Sequence, residues 1–425
     1  MPEAMIQYEY TLCRIPKSTS SFCARGKYLL LSNQMPEQPT NRVEIIDVVR
    51  GLVMVLMTLD HTRDYFGNHD IDALDVSATT PALFFSRWVT HLCAPAFVFL
   101  AGSSVSMLSR KLDSGHLTNF LIGRGLILIV FEQTLLRCFG WYFNFDYHYM
   151  SANVLFGIGG SLILLNLFTR FPERFQLPFS LLVILLPTFL TVVPYFTTHA
   201  TGAFWQIVLL GGNIEFLPGY NFYVSYPLIP WFGIMSLGYS LAGQFLQSQN
   251  SAIWIYWSLS FLVLFIVMRF IGLGNPVAWQ QHEITWRSVI DFINLEKYPP
   301  SLLFTLLTLS IAFLMFGLLS SVTGSAAKFF GILGKAPLFY YATHITLIHL
   351  TALVVAVIRY GHAEWLYVGP GIFWDVTLPG HPVDYGLPLP VVYGITVLVV
   401  ISLYPACRWY SVLKGSNSNT WLKYF

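Results

Sequence analysis

Residues 44–64, EIIDVVRGLVMVLMTLDHTRD, decide the fold, because they predict a membrane-spanning helix that carries ionisable side chains. Charged groups inside a span are costly and usually mark a function. Arg50 and His61 are eleven residues apart, and at ~100° per residue they return to within ~20° of the same helix face. We therefore expect them to share one stripe of the helix, separated by ~16 Å of rise.

Three aspartates accompany this pair. Asp47 lies one turn from Arg50 and can pair with it at i,i+3. Asp64 lies one turn beyond His61 and is expected to hydrogen-bond its ring, which would set the tautomer and raise its basicity; Asp60 is the second candidate for this role. The alternative is a buried Asp47–Arg50 pair that only fixes helix packing, with an interfacial histidine.

The composition indicates that most of the chain lies in lipid. The 425 residues are 55% hydrophobic and only 10% charged, and the mean hydropathy is +0.60, whereas soluble domains carry about 25% charged residues. We therefore predict an all-α polytopic membrane protein. A net charge of +2 argues against nucleic acid as a partner. The five cysteines have no metal-binding spacing and predict no disulfide framework.

The hydropathy pattern predicts about ten spans, each near the ~20 residues that a bilayer requires. The predicted spans are 44–62, 84–108, 119–140, 152–170, 178–196, 225–246, 252–272, 301–321, 336–358 and 388–409. Residues 1–41 are polar and unpatterned and are expected to form a disordered cytoplasmic tail, within which Met35 would be an equally natural start. Residues 42–425 then form one transmembrane domain.

Positive charge orients the predicted helices, since Lys and Arg accumulate on the cytoplasmic side. With both termini in the cytoplasm, 14 of the 23 Lys and Arg residues fall in inner segments and five fall within spans. Only four fall in outer segments: Arg63, Arg287, Lys297 and Arg359. This orientation puts His61 at the outer end of the first span and Arg50 nearer the cytoplasm.

The second predicted span adds a further histidine. His91 opens the sequence HLCAPAFVFLAGSS, in which Pro95 is expected to kink the helix. The small residues of GSS, beginning at Gly102, allow a helix or a ligand to approach closely, so a homodimer is an open expectation. His91 is either a second active-site histidine facing His61 or an ordinary histidine at the membrane interface.

Other polar groups extend the set of candidates. Arg124 is either part of a buried charge network with Glu132 or a contact for the phosphates of a nucleotide-bearing donor, and Lys335 is a second phosphate candidate. His344 and His349 lie ~140° apart on a helix, a poor arrangement for one metal, so we predict no metal site. His344 is expected to hydrogen-bond within the bundle or to line a cavity.

Three motifs carry a resemblance to a known family. The first-span run IIDVVRGLVMVLMTLDH, an arginine followed by ten residues and a histidine, resembles membrane acyltransferases that acetylate bacterial surface glycans. Together with RWVTHLCAPAFVFLAGSS (87–104) and YPACRWY near the end, it is more similar to the heparan-alpha-glucosaminide N-acetyltransferase family and its bacterial relatives. In the eukaryotic members an asparagine takes the position of His61 and the catalytic histidine lies further on, so His61 and His91 both stay candidates for the base.

The resemblance implies an acyltransferase of the bacterial inner membrane that uses acetyl-CoA as co-substrate. The expected acceptor is a hydroxyl or amine of an extracytoplasmic sugar or glycan, which the aromatic residues and carboxylates of the outer loops could hold. Arg50, Arg124 and Lys335 would bind the CoA phosphates, and His61 would act as general base. The alternatives are a transporter or flippase, which also uses buried Asp, Arg and His, and a structural membrane subunit.

Overall fold

The computed structural model describes residues 40–192, 202–247, 251–367 and 380–416. The predicted tail lies outside these residues except for its last two positions, because the first helix already begins at Thr40. The helices, in chain order, are α1 (Thr40–Phe66), α2 (Pro81–Trp88), α3 (Cys93–Ser109), α4 (Ser114–Phe131), α5 (Val154–Phe168), α6 (Glu173–Val192), α7 (Ala203–Trp205), α8 (Leu228–Gln247), α9 (Ala252–Phe270), α10 (Thr285–Ile293), α11 (Leu302–Leu319), α12 (Ser325–Gly334), α13 (Pro337–Tyr360) and α14 (Leu389–Ser416).

Seven helices within the described ranges are long and apolar enough to cross a membrane. They are Pro81–Ser109, Ser114–Trp141, Glu173–Leu190, Ala252–Phe270, Leu302–Leu319, Pro337–Tyr360 and Leu389–Lys414. Exposed leucine, valine and isoleucine side chains on α9 and α14 are consistent with faces turned to lipid. The chain is therefore a helical integral membrane protein. Helices also occur at the other three predicted spans, in α1, α5 and α8, but the total of ten crossings and the orientation of the termini stay predictions.

The second predicted span is broken near its start. A 3₁₀ turn, Val89–Leu92, separates α2 from α3. Pro95 explains the break, because it has no N–H to donate to the carbonyl of His91, four residues earlier, and its ring crowds that carbonyl. The expected distortion at Pro95 is therefore present, and it turns Thr90 toward Asp60 of α1, where the two side chains hydrogen-bond at 2.8 Å.

A small sheet interrupts the helical pattern, which the all-α prediction did not include. Strands β1 (Tyr149–Ala152), β2 (Gly212–Leu217) and β3 (Tyr220–Val224) lie in the order β1-β3-β2, with β1 parallel and β2 antiparallel to β3. The strands are four to six residues long and lie outside the apolar segments, so hydropathy alone gives them no signal. The sheet forms one wall of the site described below.

Two glycines allow α1 and α12 to pack backbone against backbone. A Cβ atom on Gly51 would lie 1.9 Å from the carbonyl oxygen of Phe330, and one on Gly334 would lie 1.9 Å from the carbonyl oxygen of Asp47. No side chain fits at either position. This close contact brings the carbonyl of Gly334 to within 3.0 Å of the Arg50 guanidinium.

The small residues of α3 contact other helices of the same chain. A Cβ atom on Gly102 would lie 1.9 Å from the carbonyl oxygen of Met235 on α8. Ser104 accepts a hydrogen bond of 3.1 Å from Arg50. The close approach expected in this span therefore occurs between helices of one chain, and a homodimer stays an untested prediction.

Candidate active site

A pair of buried histidines joins α1 to α13. Nδ1 of His61 lies 2.7 Å from Nε2 of His344, and Nδ1 of His344 lies 2.9 Å from the carbonyl oxygen of Tyr340. A carbonyl can only accept, so Nδ1 of His344 carries the proton and Nε2 of a neutral His344 accepts. His61 must then donate through Nδ1, which leaves its Nε2 unprotonated. The network thus selects the tautomer in which Nε2 of His61 can take up a proton.

Aromatic rings hold His61 in this orientation. The ring of Trp141 meets it edge-on with centroids 4.7 Å apart, and Tyr341 lies at 6.2 Å. Trp141 ends a π-helical segment, Glu132–Trp141, that continues α4. π-Helical segments are rare and frequently occur at functional sites. Here the segment places the indole ring of Trp141 against the imidazole ring of His61, the candidate base.

His61 lines a cavity of about 510 Å³ between the helices and the sheet, which we call the outer cavity. Eight aromatic residues contribute to its wall: Phe97, Trp141, Tyr142, Tyr149, Tyr223, Tyr226, Tyr298 and Tyr341. Its remaining lining residues are Met57, Asp60, His61, Asp64, Arg87, Thr90, Cys93, Ala94, Ser151, Asn153, Val154, Ser225 and Lys297. Flat aromatic faces of this kind can stack on the apolar faces of sugar rings, so the wall suits a small polyhydroxylated ligand.

The predicted contact between Asp64 and the His61 ring is wrong. Asp64 instead accepts a hydrogen bond of 2.7 Å from Arg63, and Nδ1 of His61 is taken by His344. Among the described residues Asp60 makes no hydrogen bond to the ring either, and its Oδ1 accepts from Arg63 at 2.9 Å and from Arg87 at 2.5 Å. Two guanidinium groups therefore balance the two carboxylates.

Residues that follow α1 in the chain hold its C-terminal end in place. His69 lies with Nε2 2.9 Å from the carbonyl oxygen of Asp64, and burial lowers the pKa of His69 below its usual value. A neutral His69 with its proton on Nε2 donates to this carbonyl. The hydroxyl of Tyr385 donates to the carbonyl of Tyr65. These contacts fix the helix end next to His61.

A second cavity, the inner cavity, has a volume of about 270 Å³. Four of its lining residues are cationic, namely Arg50, Arg124, Lys335 and Lys414, and no acidic residue is among them. The sequence predicted the first three of these as phosphate contacts, and Lys414 of α14 was missed because it lies near the far end of the chain. The set can attract an anionic group such as a phosphate.

Arg50 also has structural contacts in this cavity. It pairs with Asp47 at 2.9 Å, as its spacing predicted, and donates to the carbonyl of Gly334 and to Ser104. Its guanidinium is therefore held in place before any ligand binds. Packing and ligand attraction, which the sequence left as alternatives, are compatible at this residue.

The inner and outer cavities share part of their walls. Met57, Phe97, Val154 and Tyr341 line both. Met57 lies on α1 between Arg50 and His61, so one helix presents its arginine to one cavity and its histidine to the other. The predicted stripe on α1 therefore runs along two adjoining cavities.

His91 is not brought together with His61. It is buried, it is not among the residues that line the outer cavity, and its ring lies 5.7 Å from that of Phe304 on α11. The 3₁₀ turn directs its neighbour Thr90 to the cavity instead. The prediction of a second active-site histidine facing His61 therefore has no geometric support.

Glu132 serves as a helix cap. Its carboxylate accepts hydrogen bonds from the backbone N–H groups of Asn153, Leu155 and Phe156, at 2.9–3.1 Å. These N–H groups belong to the start of α5, where a negative charge is stabilising. Glu132 therefore caps α5 rather than taking part in the charge network that the sequence left as one alternative for Arg124, and Arg124 lines the inner cavity.

The fold and the two adjoining cavities define an integral membrane protein in which a buried histidine lines the outer cavity. Residues 42–283 match the family model described as heparan-alpha-glucosaminide N-acetyltransferase, catalytic, and the chain belongs to this family of membrane acetyltransferases. The resemblance seen in the sequence is confirmed. No curated protein matches the chain. The matched range contains His61 and most of the outer-cavity wall, whereas His344, Lys335 and Lys297 follow it.

Proposed function

We propose that this protein transfers an acetyl group from cytoplasmic acetyl-CoA to a hydroxyl or amine of a sugar on the outer side of a bacterial inner membrane. One observation carries the proposal: a histidine whose Nε2 is free to accept a proton lies in a cavity that adjoins a second, cationic cavity along the same helix. Family membership supports acetyl transfer as the reaction.

The donor would enter from the inner cavity. CoA carries several phosphates, and Arg124, Lys335 and Lys414 offer positive charges to them, next to Arg50, which already pairs with Asp47. The pantetheine arm would then pass the shared wall and present its thioester near His61. The ~16 Å of helix rise between Arg50 and His61 suits an extended arm of this length.

The acceptor would occupy the outer cavity, against its aromatic wall. Its nucleophilic hydroxyl or amine would meet Nε2 of His61, which removes the proton as the acceptor attacks the thioester carbon. A positioned general base typically contributes 10²–10⁴ in rate. Nε2 of His344 would accept a hydrogen bond from Nδ1–H of the His61 imidazolium. Asp60 and Asp64 would act through charge within the arginine network rather than by direct contact. A covalent acetyl-histidine is the alternative course.

This function sets the orientation of the chain. Both termini would lie in the cytoplasm, residues 42–425 would form the transferase domain, and residues 1–41 would precede it as a cytoplasmic tail. The outer cavity would open toward the extracytoplasmic side, where the acceptor sugar lies. The excess of Lys and Arg in the predicted inner segments supports this orientation.

The proposal is tested by incubating the purified protein with acetyl-CoA and a panel of glucosamine derivatives and neutral sugars, and measuring free CoA and acetylated sugar. We expect CoA release that depends on both the acceptor and His61, so that the correctly folded His61→Ala variant loses it. A wild-type protein that binds the sugars but releases no CoA above background would instead be a transporter or flippase.

A further inference from the structure

Lys297 is a buried lysine in the outer cavity. It lies in the segment between α10 and α11, its residue surface is only 7% exposed, and it lines the same cavity as His61. The sequence places it among the four cations of the predicted outer segments. Burial of a lysine is uncommon unless the charge is paired, so its position calls for a chemical reason.

Within the described residues, no carboxylate lies within 4.0 Å of its ammonium group and no group accepts a hydrogen bond from it. The nearby carboxylates are already engaged, Asp60 by Arg63 and Arg87, and Asp64 by Arg63. The contact of the ammonium is with the ring of Tyr298, at 5.0 Å from its centroid. Lys297 therefore brings one uncompensated positive charge to the cavity.

An uncompensated buried ammonium costs free energy in the protein without ligand. That cost is offset when the cavity receives a negative charge. The charge of Lys297 acts on Asp60 and His61 of α1 and on Cys93 of α3, all of which line the outer cavity. The ammonium thus lies within electrostatic range of the candidate base, on the loop side of the cavity.

We propose that Lys297 is a catalytic residue whose ammonium group donates a hydrogen bond to the acyl oxygen in the tetrahedral intermediate. This inference rests on the proposed function. The acceptor oxygen or nitrogen forms a bond to the thioester carbon, and the π electrons of the carbonyl move to its oxygen. Lys297 stabilises that oxyanion while His61 holds the acceptor's proton. The C–S bond then breaks as the carbonyl re-forms, and the thiolate of CoA takes the proton from His61.

The test compares Lys297→Met with Lys297→Arg and with the matched control Lys328→Met, whose lysine is exposed on α12 and lines neither cavity. Removing one oxyanion donor typically lowers kcat by about 10²–10³. We expect this loss for Lys297→Met, with unchanged KM for acetyl-CoA and for the acceptor, and partial recovery for Lys297→Arg. Thermal unfolding in detergent should show Lys297→Met to be at least as stable as the wild type, because an unpaired buried charge has been removed.

Each contrary outcome has a separate meaning. Wild-type activity in Lys297→Met overturns the role of Lys297 and leaves the proposed function intact. A higher KM for acidic acceptors at unchanged kcat means that Lys297 binds an anionic group of the acceptor, and this also overturns the proposal. A lower melting temperature for both Lys297→Met and a further variant, Lys297→Gln, assigns the residue a structural role and overturns the proposal. Absence of CoA release by the wild type overturns both proposals together.

Discussion

Nδ1 of His61 lies 2.7 Å from Nε2 of His344, although the two residues are 283 positions apart in the chain. The contact joins the first described helix to α13, and it decides which nitrogen of His61 faces the cavity as an acceptor. The proposed chemistry therefore depends on a residue outside the family-matched range, as much as on the histidine within it.

The first prediction concerns this pair. We expect His344→Ala to lower kcat for CoA release by at least tenfold, because His61 loses the acceptor that fixes its tautomer; the loss should stay below the ~10²–10⁴ expected for His61→Ala. His344→Gln should retain more activity than His344→Ala, since its amide oxygen can still accept from Nδ1 of His61. Steady-state kinetics at saturating acetyl-CoA measures both.

The control for this prediction is His91→Ala, another buried histidine that lines neither cavity. Its kcat should stay within a few-fold of the wild type once folding in detergent is verified. If His91→Ala were inactive and His61→Ala active, the general base would be His91 of the second predicted span, which would contradict the site described above.

The second prediction concerns the cations of the inner cavity. Arg124→Ala should raise the KM for acetyl-CoA about tenfold with little change in kcat, because a charge-assisted contact to phosphate contributes about 1.5–3 kcal/mol. Lys335→Ala should have a smaller effect, since Lys335 is exposed and its charge is screened by solvent. Titration with desulfo-CoA checks the affinity without turnover.

Lys328→Ala is the matched control, because it removes an exposed lysine of the neighbouring helix that does not line the cavity. Raising the ionic strength should weaken binding by the wild type more than by Arg124→Ala. Equal affinities for all three variants and the wild type would show that CoA phosphates do not bind in the inner cavity.

The third prediction concerns the close packing of α1 against α12. Gly51→Ala should lower the melting temperature in detergent, because the new Cβ would lie 1.9 Å from a backbone oxygen of Phe330 and the helices would have to separate. Gly394→Ala on α14 is the matched control, since no atom lies within 4 Å of its added Cβ. Helix propensity favours alanine by about 0.8–1.0 kcal/mol, so this control should be neutral or stabilising. An unchanged melting temperature for Gly51→Ala would contradict the packing.

The fourth prediction concerns the cap on α5. Glu132→Ala should lower the melting temperature, because three backbone N–H groups lose their acceptor and each unsatisfied group costs about 1–3 kcal/mol. Glu132→Gln keeps one acceptor oxygen and the shape of the side chain, so its melting temperature should fall less than that of Glu132→Ala. The exposed Glu283→Ala provides the comparison for loss of a glutamate charge alone. If Glu132→Ala melted like the wild type but lost activity, Glu132 would belong to the chemistry rather than to the helix.

The sequence predicted well what a single helix can reveal. The spacing of Arg50 and His61 placed both on one stripe, and the Asp47–Arg50 pair at i,i+3 is present at 2.9 Å. The distortion before Pro95 and the close approach at Gly102 also followed from local rules. These predictions succeed because helical periodicity and proline geometry depend only on neighbouring residues.

The same local reasoning failed for Asp64 and Asp60. Both lie within a turn of His61, yet the guanidinium groups of Arg63 and Arg87 engage them, and the ring turns to another helix. Spacing along one helix shows which side chains can meet. It does not show which of several partners a side chain will choose, since that choice depends on the helices that pack around it.

The sequence by itself therefore determined that this protein is helical and membrane-embedded and that it resembles a family of acetyltransferases, and it predicted a functional stripe of Arg50 and His61 on the first span. The tertiary structure alone decided that His344 orients His61, that Lys297 lines the same cavity with no carboxylate of the described residues within 4.0 Å of its ammonium, and that strands of a small sheet form part of the cavity wall. The physical reason is that composition and periodicity are local properties of the chain. Contacts between residues hundreds of positions apart arise only when the helices pack against one another.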